Sequence, residues 1–326
     1  MTLQVSEILS LNSQEAWKWL REQLWNHFSA PLPVKGCDKE IVRRDRAVAE
    51  LDNLLAASAW NLWNAFADAL PRGSNSVIDF WNATSTGPNG KAVLILDGLS
   101  LREIPFLLAE AEKRQFHLLR SGAWTAEMPG TTTSYANALG FPGRSALSNN
   151  KTASKPILHK HCPNAWTESC DLPFLDCAEM LPPKPMVFFW HHWPDVKMHD
   201  ATLETLAKDA GEKLTSDDFW TFIDRLTTGR TLLITSDHGY AATGHFHDLQ
   251  DKNQIETMRV AFAAQRHAKA DNAEPLPWIP PLDLTLGQHR YVLGRHKWKI
   301  QGGYPALQHG GLSLLEMFVP FIEIQR

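Results

Sequence analysis

Apolar and polar positions fall into two regimes along this chain. From Ser6 to about Trp81 apolar residues recur at helical spacing, as in Val48-Ala49-Glu50-Leu51-Asp52-Asn53-Leu54-Leu55, and predict a helical lead-in. The turn cluster Thr84-Ser85-Thr86-Gly87-Pro88-Asn89-Gly90 ends it. Next, Lys91-Ala92-Val93-Leu94-Ile95-Leu96-Asp97-Gly98 is apolar without alternation and closes on a carboxylate, and a helical pattern follows from Arg102 to Lys113. A run apolar on both faces reads as a buried parallel strand, so strand and helix together open a βα unit.

The same signature returns at Pro185 to Trp190, at Thr231 to Asp237 and at Phe318 to Ile324. Between the first two lies a helix ending at Thr227, capped by Ser216 or Thr215. Residues 142–183 and 241–285 are rich in Pro, Asn, Lys and His and read as loops or a small cap. The alternation predicts an α/β fold: a doubly wound, mostly parallel sheet flanked by helices in residues 86–326, preceded by a helical region in residues 1–85.

Composition narrows the class without changing that picture. Apolar residues make up 44% and charged residues 21% of the 326, which excludes a disordered, collagen-like or coiled-coil chain. A net charge of −4 gives no global basic field for non-specific nucleic-acid binding, although a local groove can still be basic. Apolar stretches such as Met186 to Trp190 fall far short of the roughly 20 residues of a bilayer span, so no membrane crossing is expected. Met1 to Trp17 is polar and acidic where a signal peptide carries positive charge, and Cys37, Cys162, Cys170 and Cys177 are too few and irregular for a disulfide framework. Both observations lead to the expectation of a cytoplasmic protein in a reducing compartment.

Ligand sites of open α/β sheets lie beyond the carboxyl ends of the strands, so the strand endings matter most. Here they are Asp97, the segment His191-His192-Trp193-Pro194-Asp195, and Ser236-Asp237-His238-Gly239. Asp and His without thiolates suit a hard-to-borderline divalent ion such as Zn²⁺ or Mn²⁺. Asp97, Asp237 and His238 suffice for one ion. Asp195 and His199, one helical turn apart, suffice for a second together with His309, which precedes Gly310-Gly311. The stretch Met128-Pro129-Gly130-Thr131-Thr132-Thr133-Ser134 reads as a loop, a Thr N-cap and a helix start. A hydroxyl there faces the helix's positive end, and a metal would lower its pKa for attack on phosphorus.

In order and spacing, Leu96-Asp97-Gly98, the Pro-Gly-Thr-Thr-Thr stretch, the Asp195/His199 pair, Ser236-Asp237-His238-Gly239 and His309-Gly310-Gly311-Leu312-Ser313 with Glu316 and Val319-Pro320 resemble the alkaline phosphatase superfamily. The closing segment is similar to its PglZ branch, found in phage-defence (BREX) loci and bacterial response regulators. The resemblance covers roughly Lys91 to the C-terminus. It implies a two-zinc phosphoesterase in which Asp97, Thr133, Asp237 and His238 hold one metal, and Asp195, His199 and His309 the other. Thr133 is the implied nucleophile, because family nucleophiles lie about ten residues before a Gly and Gly143 fits; Thr131 is the fallback. Two departures stand out: Met198 replaces the Gly usual before the histidine, and the threonine tract sits one residue further from its proline. The sulfatase motif Cys-x-Pro-x-Arg is absent.

The expected function is thus a metal-dependent phosphodiesterase acting on a nucleotide or nucleic acid, in phage defence or signalling. The alternatives are a metal-containing scaffold that associates with phage-defence or signalling proteins, and a phosphomonoesterase or phosphomutase. Several features fall outside the metal cluster: Gly87-Pro88-Asn89-Gly90-Lys91 reads as a turn, Arg43-Arg44-Asp45-Arg46 as a solvated helix face, and His245-Phe246-His247-Asp248 as part of the cap or a substrate contact. His159, His161, Cys162, Cys170 and Cys177 match no zinc spacing. Trp124, Trp190 and Trp193 are core residues that stand near enough to the strand ends to stack a base or sugar.

Overall fold

The computed structural model describes residues 5–33, 35–83, 90–150, 164–270 and 278–326. Four apolar runs form the middle of a six-stranded sheet. In chain order the strands are β1 (Gly90–Leu96), β2 (His117–Thr125), β3 (Trp166–Cys170), β4 (Met186–His191) and β5 (Arg230–Thr235), with Phe318–Gln325 as the last. The sheet order is β2, the last strand, β5, β1, β4, β3. β1 pairs in parallel with β4 and β5, and β3 in parallel with β4, whereas the last strand is antiparallel to both of its neighbours. This is the expected class: a mostly parallel sheet flanked by helices. The centres of β1, β4 and β5, at 92–96, 187–190 and 232–234, are apolar because both faces are covered.

Two strands run through regions whose sequence pattern does not announce them. β2 is an edge strand with a half-exposed start, and β3 lies inside the 142–183 stretch expected to be loop or cap, followed by a helix at Phe174–Met180. Both sit at sheet edges: β2 opens exposed to solvent, whereas Thr167, Glu168 and Ser169 of β3 are buried and hydrogen-bonded to residues 147–150. The 241–285 stretch likewise holds a helix, Lys252–Phe262, and a small sheet in which His289–Val292 pairs with His267–Lys269 and Asp283–Leu286. No described helix is long and apolar enough to cross a membrane.

The helical region comprises α1 (Ser13–Ser29), α2 (Cys37–Ala57), α3 (Trp63–Ala69) and α4 (Gly73–Asn82). Asn12 caps α1 in a reciprocal box with Glu15, satisfying two otherwise bare donors. Trp17, Trp63 and Phe66 pack on one another and reach Phe318 of the last strand, with the Trp17 and Phe318 ring centroids 6.3 Å apart.

Arg43-Arg44-Asp45-Arg46 is not the solvated face its charge suggested. Arg44 is buried and donates to the carbonyls of Phe28, Ala30 and Pro31. Asp45, fully buried, binds Arg102 and Arg295; Arg295 also binds Asp52, and Asp52 accepts from Leu314 N–H. Burial alone would push the Asp45 carboxyl up, but the two guanidiniums hold it down at about 2. Every buried charge in this network has a partner of opposite sign, as a low dielectric demands.

Candidate metal centre

The carboxyl edge of the sheet gathers the expected residues by backbone continuity. Asp97 follows β1 directly; its N–H donates to His191 O, and its carbonyl accepts from Asp195 N–H, both at 2.9 Å. This ladder pins the ends of β1 and β4 together. Gly98 adopts φ +74° and donates to Asp237 Oδ1 at 3.0 Å. A Cβ at Gly98 would stand 2.6 Å from Met198 Cε and 3.5 Å from His238 Cε1, so the centre closes around a position only glycine fills. Beyond β5, Gly239 passes so close to the chain that a Cβ would meet Leu315 O at 2.1 Å.

Two groups of donors converge. Atoms of Asp97, Asp237 and His238 lie within 4.8 Å of one another, and so do atoms of Asp195, His238 and His309. Asp97, Asp237 and His238 are fully buried and Asp195 nearly so. The His238 and His309 rings stack with centroids 4.0 Å apart. His238 Nδ1 pairs with Gly239 O at 3.0 Å and His309 Nδ1 with Gly130 O at 2.9 Å. Each carbonyl fixes its tautomer with the proton on Nδ1 and the Nε2 lone pair available, the arrangement that orients histidine ligands. Arg266, Ser313 Oγ and Gly311 N–H all bind the buried Glu316, which anchors the segment carrying His309.

Electrostatically the cluster is short of positive charge. Burial, then the neighbouring Asp237, pushes Asp97 well above the ordinary carboxylate range, and Asp195 is raised by the same two influences. Burial opposes charge on His238, but Asp237, Asp97 and Asp195 together outweigh it and raise its pKa. His309 is driven down by burial and then by His238. Asp195 Oδ1 and Asp237 Oδ2 are buried without a hydrogen-bond partner. Orphaned carboxylate oxygens beside oriented imidazoles are what a divalent cation would satisfy, so these residues fit a metal.

Three placements differ from the sequence expectation. Thr133 is exposed, and Thr131 caps the short helix Thr132–Ala138 by accepting from Ser134 N–H at 3.2 Å. The hydroxyl at the centre is that of Thr132, 3.3 Å from Asp97 Oδ1 and 3.4 Å from His238 Nε2. Once Thr131 is the cap, the first helical residue is the one turned towards the sheet edge. His199 lies outside both donor groups, with a largely exposed side chain whose Nε2 is 3.9 Å from Asp195 Oδ2. Trp190 is fully buried, and Trp193, nearly so, borders a cavity beside Phe174. Trp190 donates from Nε1 to Asp97 Oδ2 at 3.0 Å.

Arg144 completes the centre. Its guanidinium pairs with Asp97 Oδ2 and lies 3.8 Å from Asp195 Oδ2, with a quarter of the side chain exposed. No motif or spacing signals it. The decoys stay outside: His245 pairs with Glu204 at 2.9 Å on the surface, and Gly87 to Asn89, His159, His161 and Cys162 fall outside the described residues.

No protein-family model matches the chain, and no curated protein matches it. Among solved structures it is similar to murine ectonucleotide pyrophosphatase/phosphodiesterase 5, in an inactive form in complex with AMP, at 13% identity and TM-score 0.40, over 72% of this chain and 87% of that one. It is also similar to phosphonoacetate hydrolase from Sinorhizobium meliloti 1021 in complex with phosphonoacetate, at 11% identity and TM-score 0.37, over 72% and 90% of the two chains. At such identities and scores the likeness says nothing of this chain's chemistry.

Proposed function

We propose that the chain is a metal-dependent phosphoester hydrolase of the alkaline-phosphatase type, with Thr132 as nucleophile. The observation that carries this reading is the pair of orphaned carboxylate oxygens, Asp195 Oδ1 and Asp237 Oδ2, flanking two imidazoles whose Nε2 atoms are held inward by backbone carbonyls. Asp97, Asp237 and His238 would hold one divalent ion, Zn²⁺ or Mn²⁺. Asp195 and His309 would hold a second, with His199 as the further donor beside Asp195, since the single His238 Nε2 serves one ion. Ions bound there would supply positive charge for the phosphoryl oxygens and acidify a hydroxyl.

The chain's own residues supply the rest. Thr132 Oγ1 donates to Asp97 Oδ1, which points its lone pairs away from the carboxylate and towards an incoming phosphorus. Attack forms a phospho-threonine as the ester oxygen leaves with a proton, and water then cleaves the P–O bond and restores the hydroxyl. Arg144 offers a guanidinium for a non-bridging phosphate oxygen, a planar fork that suits phosphate. Preference for a diester, nucleotide or nucleic-acid substrates, membership of the PglZ branch, a cytoplasmic phage-defence role and a division into residues 1–85 and 86–326 belong to this proposal through the sequence resemblance.

A second reading is favoured by Arg144 itself. Its ion pairs tie Asp97 and Asp195 to the segment that carries it, as the metal-containing scaffold of a defence or signalling assembly would need. Hydrolysis of bis-p-nitrophenyl phosphate and p-nitrophenyl phosphate with Zn²⁺ or Mn²⁺, in wild type and Thr132→Ala, separates the readings. Diester turnover lost in the variant supports the hydrolase, and metal-loaded protein inert towards both esters supports the scaffold.

A further inference from the structure

Cys170 ends β3, and Cys177 lies in the helix Phe174–Met180, with a short loop between them. Their Sγ atoms are 3.8 Å apart, Cys170 half-buried and Cys177 buried. A disulfide needs about 2.0 Å, so the sulfurs have less than about 2 Å to close. The framework around them is fixed from both sides. His192 N–H donates to Cys170 O at 2.9 Å, Cys177 N–H donates to Pro173 O at 3.0 Å, and Cys177 Sγ lies 3.5 Å from Leu172 O. Leu172 O also pairs with His191 Nε2 at 2.8 Å, and the Phe174 ring packs on His191 and Phe219. The separation of the thiols is therefore set by the fold.

We propose that Cys170 and Cys177 are a reversible dithiol–disulfide pair, a redox modification site at the carboxyl end of β3 that responds to small disulfides such as oxidised glutathione. The more exposed Cys170 is the attacking thiol. A hydrogen bond from Cys177 eases its ionisation, while the same bond and then burial keep Cys177 protonated. The Cys170 thiolate, having released its proton, attacks one sulfur of oxidised glutathione, giving a mixed disulfide and one glutathione thiolate. Cys177 then loses its proton and attacks Cys170 Sγ, expelling the second glutathione. The two cysteines give up two electrons and two protons, and one glutathione disulfide becomes two glutathiones.

The cross-link would tie β3 to the helix through Asp171-Leu172-Pro173. With Phe174, these residues form one wall of a cavity of about 940 Å³ whose far side includes Trp193, Val196 and Lys197. Val196 and Lys197 follow Asp195 directly, so the redox state of the pair would be felt next to a candidate ligand. This inference stands on the thiol geometry and does not rest on the hydrolase reading.

The test is to equilibrate the full-length protein with glutathione buffers of graded ratio, alkylate the remaining thiols, digest and map the peptides by mass spectrometry. The expected result is a Cys170–Cys177 cross-linked peptide, lighter by two hydrogens and restored by dithiothreitol. Cys177→Ser should trap glutathione on Cys170, whereas Cys170→Ser should leave Cys177 unmodified. The proposal is overturned if both cysteines stay fully alkylatable in excess oxidised glutathione, or if the cross-link joins either of them to Cys37 or Cys162. Melting curves of both serine variants confirm that the mapped protein is folded.

Discussion

The hydroxyl of Thr132 sits 3.3 Å from Oδ1 of Asp97, while the adjacent Thr133 faces solvent. One helical step decides which hydroxyl of the tract reaches the carboxylate. Thr132→Ala is expected to lower diester hydrolysis by at least about a thousandfold, the scale of losing a nucleophile, while Thr133→Ala keeps activity within about twofold. Steady-state rates on bis-p-nitrophenyl phosphate check this, and a dead Thr133→Ala beside an active Thr132→Ala would refute the assignment.

Added metal should stabilise the folded chain. At an ion concentration a hundred times the dissociation constant the gain is about 2.7 kcal/mol. Asp237→Asn should abolish that gain, and a chelator should reverse it in wild type. Thermal melts with and without Zn²⁺ or Mn²⁺, together with metal content after dialysis, measure it.

Arg144 compensates the carboxylates that the proposed metals would occupy. Arg144→Ala should therefore destabilise the metal-free protein by about 2 kcal/mol, less than the 3–5 kcal/mol of breaking a fully buried pair, because the side chain is a quarter exposed. The variant should also gain more stability from Zn²⁺ than wild type does. Equal metal-induced shifts in urea titrations of the two proteins would show that the guanidinium and the ion do not compete.

Glu103 gives a pH signature apart from the metal centre. It is fully buried, and burial pushes its carboxyl from 4.5 up to about 7 against the pull of Tyr240 and Arg102. Because the folded pKa exceeds the unfolded one, the stability this group contributes is complete below about pH 4.5 and is lost as pH rises to about 7. Between about pH 5.5 and pH 8 the loss is about 2 kcal/mol at 1.36 kcal/mol per pH unit. Urea titrations at both pH values should show that component in wild type and not in Glu103→Gln.

Asp45→Ala leaves Arg102 and Arg295, both buried, short of a carboxylate. A stability loss of about 3–5 kcal/mol is expected, visible as a lower urea midpoint, and a loss under 1 kcal/mol would mean that Asp52 and water take over.

The parts of the fold legible in the sequence are those where one residue's environment is uniform. β1, β4 and β5 are buried on both faces, and each announces itself as a continuous apolar run with the functional group at its end. β2 and β3 escape because polar residues interrupt their apolar positions: Arg120 and Ser121 in β2, which faces water at its start, and in β3 the buried Glu168 and Ser169, which bond to Asn149 and Ser148. At the centre, Asp97, Asp195, Asp237, His238 and His309 were readable as strand-end carboxylates and imidazoles. That the Thr132 hydroxyl is the one lying against Asp97 was not, because helix phase depends on which residue becomes the cap. Arg144 was illegible for a different reason: it reaches Asp97 across 47 residues of chain with no periodic relation to it. Arg44 and Asp45 were misread because the partners that make burial tolerable lie on other elements.

The buried charges of α2 bear on how the chain is made. Asp45 meets Arg295 250 residues further on, and Asp52 meets the Leu314 amide 262 residues further on. At synthesis rates of about 5–20 residues per second, α2 leaves the ribosome roughly 12–50 seconds before Arg295 and Leu314 are made. During that interval Asp45 can pair only with Arg102, and Asp52 has neither the Arg295 guanidinium nor the Leu314 amide. The buried charges of α2 are therefore fully paired only once the segment carrying Arg295 and Leu314 has been synthesised.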